Sequence, residues 1–228
     1  MKTRLIFLSI MLPIFTVSCK KNVVDNNNGL PYYQFTQDDK SKLLVSYDLG
    51  KELIYINQNN QEIKFKIIES VNGKDVYGTG TFWGSYVDNW FYYDKQEIVM
   101  QYAEGYAYSN CGIVLQRYPV GANYNSQYPI VGTPAFYGYM SFPLWNGFNG
   151  TDTSDNSISI NFNLPTTSMN INGNTYSKVR IFESGKTEIL DSNATLPFYP
   201  KKVNKIYYDQ NSGIIGFDDL NGKNWRLQ

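Results

Sequence analysis

Cys19 is the side chain of this sequence whose neighbours most directly specify a reaction. It follows Thr16-Val17-Ser18, where small residues at Thr16 and Ser18 mark a cleavage site. That site closes an apolar run, Leu5 to Val17, set behind the positive charges of Lys2 and Arg4. Such a run is too short to span a bilayer, which takes about 17–25 residues, and suits the h-region of a signal peptide. A thiol directly after such a site is the acylation point of a bacterial lipoprotein, although Thr16 stands where the usual lipobox has Leu. The expectation is that residues 1–18 are a signal peptide and that Cys19 carries acyl chains such as palmitate. The mature chain is then a membrane-anchored envelope lipoprotein, with the outer membrane favoured over the inner.

Most other side-chain chemistry is excluded by composition. The 228 residues include no His, which removes Ser-His-Asp triads, Cys-His dyads and His-ligated zinc or haem. Cys111 shares parity with Ile113 and Leu115 and lacks any His to activate it, so it reads as a small core residue. Glycoside hydrolysis on two carboxylates needs acids about 5–10 Å apart. Glu97 and Glu104 lie on opposite parities of one extended segment that rises about 3.3 Å per residue, too far apart to cooperate. A carboxylate-based hydrolase would need a pair that the sequence does not display. Asp152-Thr153-Ser154-Asp155-Asn156 and Asp218-Asp219-Leu220-Asn221-Gly222 lack the ligand spacing of a calcium loop and read as solvated turns. No cofactor or metal is expected.

Aromatic residues remain. Trp83, Trp90, Phe91, Tyr92 and Tyr93 cluster before one strand, and Tyr137, Tyr139 and Trp145 lie in a Pro- and Gly-rich stretch. In a strand, alternate members face the core and the rest face solvent, where exposed rings can stack on sugars. Trp90, Tyr137, Tyr139 and Trp145 are the candidate ligand contacts; the competing reading makes them core and ordinary surface residues. Cleaving off Lys2 and Arg4 lowers the 20 basic residues to 18 against 20 acidic ones, a formal charge of about −2. Nucleic acid therefore has no electrostatic footprint here. The expected partners are the membrane, through Cys19, and an envelope protein or glycan.

The elements that must position these residues are mainly strands. Residues 19–30 are Asn-rich and form a flexible tether, and residues 31–228 form a single domain. Thr36 can cap a short helix over Asp38 to Ser46, with a strand competing for its second half. Ile63, Phe65 and Ile67 alternate with Lys64 and Lys66. Ile98, Met100 and Tyr102 repeat the pattern, as do Ile158, Ile160, Phe162 and Leu164. Such alternation argues for antiparallel sheet with one covered face. Asn72-Gly73, Asn172-Gly173 and Asn221-Gly222 read as hairpin turns. Four prolines interrupt the stretch Tyr118 to Gly150, which reads as an irregular aromatic insertion with one short strand at Tyr137 to Phe142; a loop of that length is functional or disordered, and its aromatic load argues against disorder. The last 25 residues read as a three-strand meander with Trp225 and Leu227 facing inward.

That C-terminal pattern comprises Asn172-Gly173-Asn174-Thr175-Tyr176, Lys205-Ile206-Tyr207-Tyr208, Gly213 to Phe217 and Trp225-Arg226-Leu227. It resembles uncharacterised Bacteroidota-type envelope lipoproteins, and Tyr33, Phe35 and Asp38-Asp39 fit the same picture. The resemblance implies an envelope-tethered, mainly β domain and no activity. The expected fold is a single antiparallel β domain, an open twisted sheet, half-barrel or sandwich, with at most one or two short helices. The expected function is non-enzymatic binding or a structural role, with a carbohydrate-binding module and a carboxylate-based hydrolase as alternatives.

Overall fold

A computed structural model describes residues 30–79, 89–102, 110–120, 133–146, 157–189 and 202–228; Cys19, the signal segment and nearly all of the tether lie outside them. The protein is mainly β, one antiparallel sheet curled into a half-barrel. The strands are β1 (Tyr32–Tyr33), β2 (Glu52–Ile56), β3 (Glu62–Thr79), β4 (Asn89–Tyr102), β5 (Asn110–Val120) and β6 (Thr133–Ser141). They continue with β7 (Ser157–Ile160), β8 (Thr167–Ile171), β9 (Asn174–Glu183), β10 (Val203–Asp209), β11 (Gly213–Asp219) and β12 (Asn224–Leu227). The order across the sheet is β7-β6-β5-β4-β3-β2-β12-β11-β10-β9-β8. β1 lies parallel to β4, Tyr32 opposite Tyr92 and Tyr33 opposite Tyr93. The last strand thus closes between β2 and β11, joining the two halves of the sheet.

The alternating residues behave as strand chemistry requires. Ile63, Phe65, Ile67, Ile98, Met100, Cys111, Ile113 and Leu115 all point into one core with Tyr55, Met140, Phe142, Ile206, Tyr208, Ile214, Phe217 and Trp225. Ile214 and Phe217 are three apart yet share that core, because a register shift at Tyr207/Tyr208 leaves Ile215 as an extra residue. Ile215 turns instead to a second, smaller cluster with Ile171, Val179 and Tyr207 on the other face of the sheet. Bulges of this kind let one strand serve two surfaces.

Several expectations are corrected. The helix α1 is a single turn, Gln37–Lys40, not a run to Ser46. Thr36 and Asp39 form the capping box: the Asp39 N–H donates to Thr36 Oγ1 (3.2 Å) and the Thr36 N–H to Asp39 Oδ2 (2.8 Å). Beyond it the chain follows no regular element, and Gln96 of β4 holds Leu44 instead. The Leu44 N–H donates to Gln96 Oε1 (2.8 Å) and Gln96 Nε2 donates to the Leu44 carbonyl (2.9 Å). Asn72-Gly73 is no turn either; it lies inside β3, opposite Gln96 and Lys95 of β4. The strand pairs around it over its whole length outweigh the local turn preference. The strand expected through Leu164 stops at Ile160, where Asn161 Oδ1 accepts from the Asn163 N–H (2.9 Å) and turns the chain. In the supposed insertion, β5 continues to Val120 and Thr133–Ser141 is a full strand between β5 and β7.

Two turns and the meander follow the sequence. Asn172 (φ 50°) and Gly173 (φ 83°) carry the paired positive φ of a type I′ turn. At Asn221-Gly222 only Gly222 has positive φ, and the Asp219 carboxylate closes that loop by accepting from the N–H groups of Asn221 and Lys223.

Candidate functional site

The outer face of β3–β6 carries a row of aromatic rings that no single stretch of sequence contains. Register places Tyr77 of β3 opposite Phe91 of β4, and Gln116 of β5 opposite Tyr137 of β6. Alternation on β4 puts Phe91, Tyr93, Lys95 and Glu97 on this face, and on β6 it puts Tyr137 and Tyr139 there. The rings touch in sequence across the strands. Tyr77 stacks on Phe91 (5.1 Å between centroids, 24°), and Phe91 is nearly parallel to Tyr118 (6.2 Å, 13°). Tyr118 meets Tyr93 (6.0 Å) and Tyr137 (5.0 Å), and Tyr137 stacks on Tyr139 (6.5 Å, 26°). Phe91 is buried beneath its neighbours, whereas Tyr77, Tyr93, Tyr118, Tyr137 and Tyr139 are half-buried. Tyr33 of β1 packs edge-on against Phe91 (5.4 Å), so β1 enters the sheet beside this row.

Polar groups are set among the rings. Lys95 Nζ lies between Asp75 Oδ2 (3.3 Å) and Glu97 Oε2 (2.5 Å), and the Tyr93 hydroxyl donates to Asp75 Oδ2 (3.1 Å). The Gln116 side-chain amide donates to the Tyr137 hydroxyl. Burial, then the Asp75 charge, pushes the Tyr93 hydroxyl up to about 12; burial and then the Glu97 charge raise Tyr139. Burial opposes ionisation of Asp75, but the Val76 N–H, Lys95 and Tyr93 together hold its carboxyl below the usual range. At neutral pH the face therefore offers neutral hydroxyl groups, carboxylates and amide groups between flat apolar rings. That combination binds ligands with apolar C–H faces and hydroxyl edges.

The structure brings together two of the four expected contacts, Tyr137 and Tyr139. Trp145 is corrected: at 6% exposed it packs in the main core. Its backbone bridges to Val203, while the Leu144 carbonyl accepts from the Lys202 and Val203 N–H groups. Trp90 belongs to β4, but its side chain lies outside the described residues, as do Trp83, Glu104 and the 152–156 loop. Tyr77 and Tyr118 were missed, because only cross-strand register places them beside Phe91 and Tyr137. The usable signal was the equal parity of Phe91 with Tyr93 and of Tyr137 with Tyr139.

Other candidate chemistry is absorbed by structure. Cys111 is 1% exposed, and burial raises its thiol far above the ordinary range. Asp218 accepts from Arg226 (2.7 Å) and Tyr207 (2.6 Å). Asp219 is buried, not solvated as expected, and its carboxylate also accepts from Trp225 Nε1 (3.3 Å). Among the described residues no cluster of three or more His, Cys, Asp or Glu side chains is placed to hold a metal. A separate groove of 430 Å³ lies on the other half of the sheet, lined by Tyr47, Tyr176, Ile54, Leu227, Lys51 and Glu52 among others. Comparisons with protein-family models, with curated proteins and with solved structures find no match for this chain.

Proposed function

We propose that this chain is a non-enzymatic, glycan-binding lipoprotein of the cell envelope, tethered through a lipid on Cys19 and meeting its ligand on the tyrosine face of β3–β6. The observation that carries the reading is the series of near-parallel rings, Tyr77–Phe91, Phe91–Tyr118 and Tyr137–Tyr139, lying across four strands. Pyranose rings present alternating C–H faces and hydroxyl rims. The rings supply apolar area with few rotatable bonds, so little side-chain entropy is lost on binding. Asp75 and Glu97 supply carboxylates beside the rings.

The Cys19 anchor is supported by the sequence features before it and by the Asn-rich stretch after it. A tether entering at β1, beside Phe91, gives the platform a fixed position relative to the linker. The test is a glycan array probed with the purified protein beside Tyr137→Ala and Tyr139→Ala. Retention of a defined glycan set by wild type, lost in both variants, supports the reading. A folded wild-type protein that retains no glycan overturns it.

A further inference from the structure

Strand β3 outruns its neighbour β2. Among the described residues, β2 pairs with it from Glu62 to Lys66, and from Glu69 to Thr79 its pairs are with β4 alone. Val71, Asn72, Gly73 and Lys74 are exposed in succession, so both faces of the strand are open there as well as its edge. Val71 and Val76 are 46% and 45% exposed, although β-branched side chains in a strand ordinarily pack against cross-strand neighbours.

The backbone on the open side is turned outward. The Tyr92 N–H donates to the Pro31 carbonyl (2.8 Å), away from β3, so its cross-strand partner Val76 faces away from β4. The Val76 N–H is met there by Oδ1 of the adjacent Asp75 (2.8 Å). Alternation turns Ser70 and Asn72 to the same side. Such an edge is a template for a further strand.

A two-fold axis normal to the sheet lays a second β3 antiparallel along this edge and brings residues of equal parity face to face. Like charges directly opposite destabilise such a pairing. An axis at Asn72 sets Glu69 against Asp75, an axis at Lys74 sets that residue against itself, and an axis at Asp75 does the same. With the axis at Gly73 no like charges meet: Glu69 faces Tyr77, Ser70 faces Val76, Val71 faces Asp75 and Asn72 faces Lys74. A Cβ at Gly73 would meet nothing within 4 Å among the described residues.

We propose that the open edge of β3 is a self-complementary interface, on which a second copy of this chain adds its own β3 with the two-fold axis at Gly73. The Val76 N–H exchanges its Asp75 acceptor for the Ser70 carbonyl of the second copy. Because the axis is normal to the sheet, the tyrosine faces of the two copies look the same way.

Sedimentation velocity and cysteine cross-linking of the Cys19→Ser protein, whose remaining thiol at Cys111 is buried, test this. At the axis the two Gly73 Cα atoms lie about 4.5 Å apart, within the range of a disulfide, whereas Val71 lies opposite Asp75. Gly73→Cys is expected to give a disulfide-linked dimer under oxidised glutathione, and Val71→Cys is not. Asn72→Pro removes an outward N–H without breaking a bond to β4, and is expected to raise the concentration of half-dissociation at least about tenfold. A protein that stays monomeric at every concentration, with Gly73→Cys unlinked, overturns the proposal, whether the edge then takes another protein's strand or none. A dimer that survives Asn72→Pro and leaves Gly73→Cys unlinked lies on another surface and overturns it equally.

Discussion

Tyr139 and Trp145 are six residues apart in one aromatic stretch, yet one lies on the outer face and the other in the core. Truncating them should therefore have opposite consequences. Trp145→Ala leaves a large cavity and is expected to cost about 3–5 kcal/mol, seen as a large fall in the urea midpoint. Tyr139→Ala removes a half-buried ring and should move that midpoint little. Gly138, between two tyrosines of the face, points the other way: a Cβ there would lie 2.5 Å from Leu115 Cδ2 and 3.2 Å from the Val114 carbonyl. Gly138→Ala is expected to lose about 1–3 kcal/mol through overpacking, measured by the same denaturation. Sequence parity was enough to place Tyr137 and Tyr139 together, and Cys111 with Ile113 and Leu115. It could not place Trp145, because Pro143 and Gly147 make the segment look like a surface loop while Leu144 and Trp145 are held against Val203 from a distant strand.

At the scale of elements, long-range capture overrides local preference twice. Gln96 ties down Leu44 and ends the helix that Thr36 begins, and β4 holds Asn72-Gly73 inside β3. Gln96→Leu leaves the Leu44 N–H and carbonyl without their partner, at about 1–3 kcal/mol for each buried unsatisfied group. Thr36→Ala removes one cap, at about 1 kcal/mol. The expected order of urea midpoints is wild type, then Thr36→Ala, then Gln96→Leu. A reversed order would show that the cap, not the cross-core bond, shapes this segment. The same logic explains which elements were legible. The C-terminal meander and the Asn172-Gly173 hairpin are local in sequence and could be read directly. The β3–β4 hairpin and β6 pair with their neighbours in chain order, but across longer connections, and no run of residues announces their register.

The whole molecule is a tyrosine-rich half-barrel, and its stability should fail from the alkaline side. Burial comes first in raising Tyr32, Tyr47, Tyr93 and Tyr207, each to about 12. In the unfolded chain a tyrosine ionises near 10. A raised folded value means that the contribution to stability is complete below about pH 10 and is lost as pH climbs toward 12. Tyrosinate absorbance should lag behind free tyrosine and rise together with loss of native fluorescence; full ionisation near 10 in a native protein would contradict it. The proposed anchor also acts at this scale. Cys19→Ser should move the protein from the membrane to the soluble fraction, and equal retention would remove the lipid from the account.

The most direct test of the central proposal is titration calorimetry of wild type, Tyr137→Ala and Tyr139→Ala with an oligosaccharide, beside their melting temperatures. The account expects each variant to lose about 1 kcal/mol or more of binding free energy, as central aromatic contacts do, while melting within a few degrees of wild type. Undiminished binding after removal of both rings, in variants that stay folded, would contradict it.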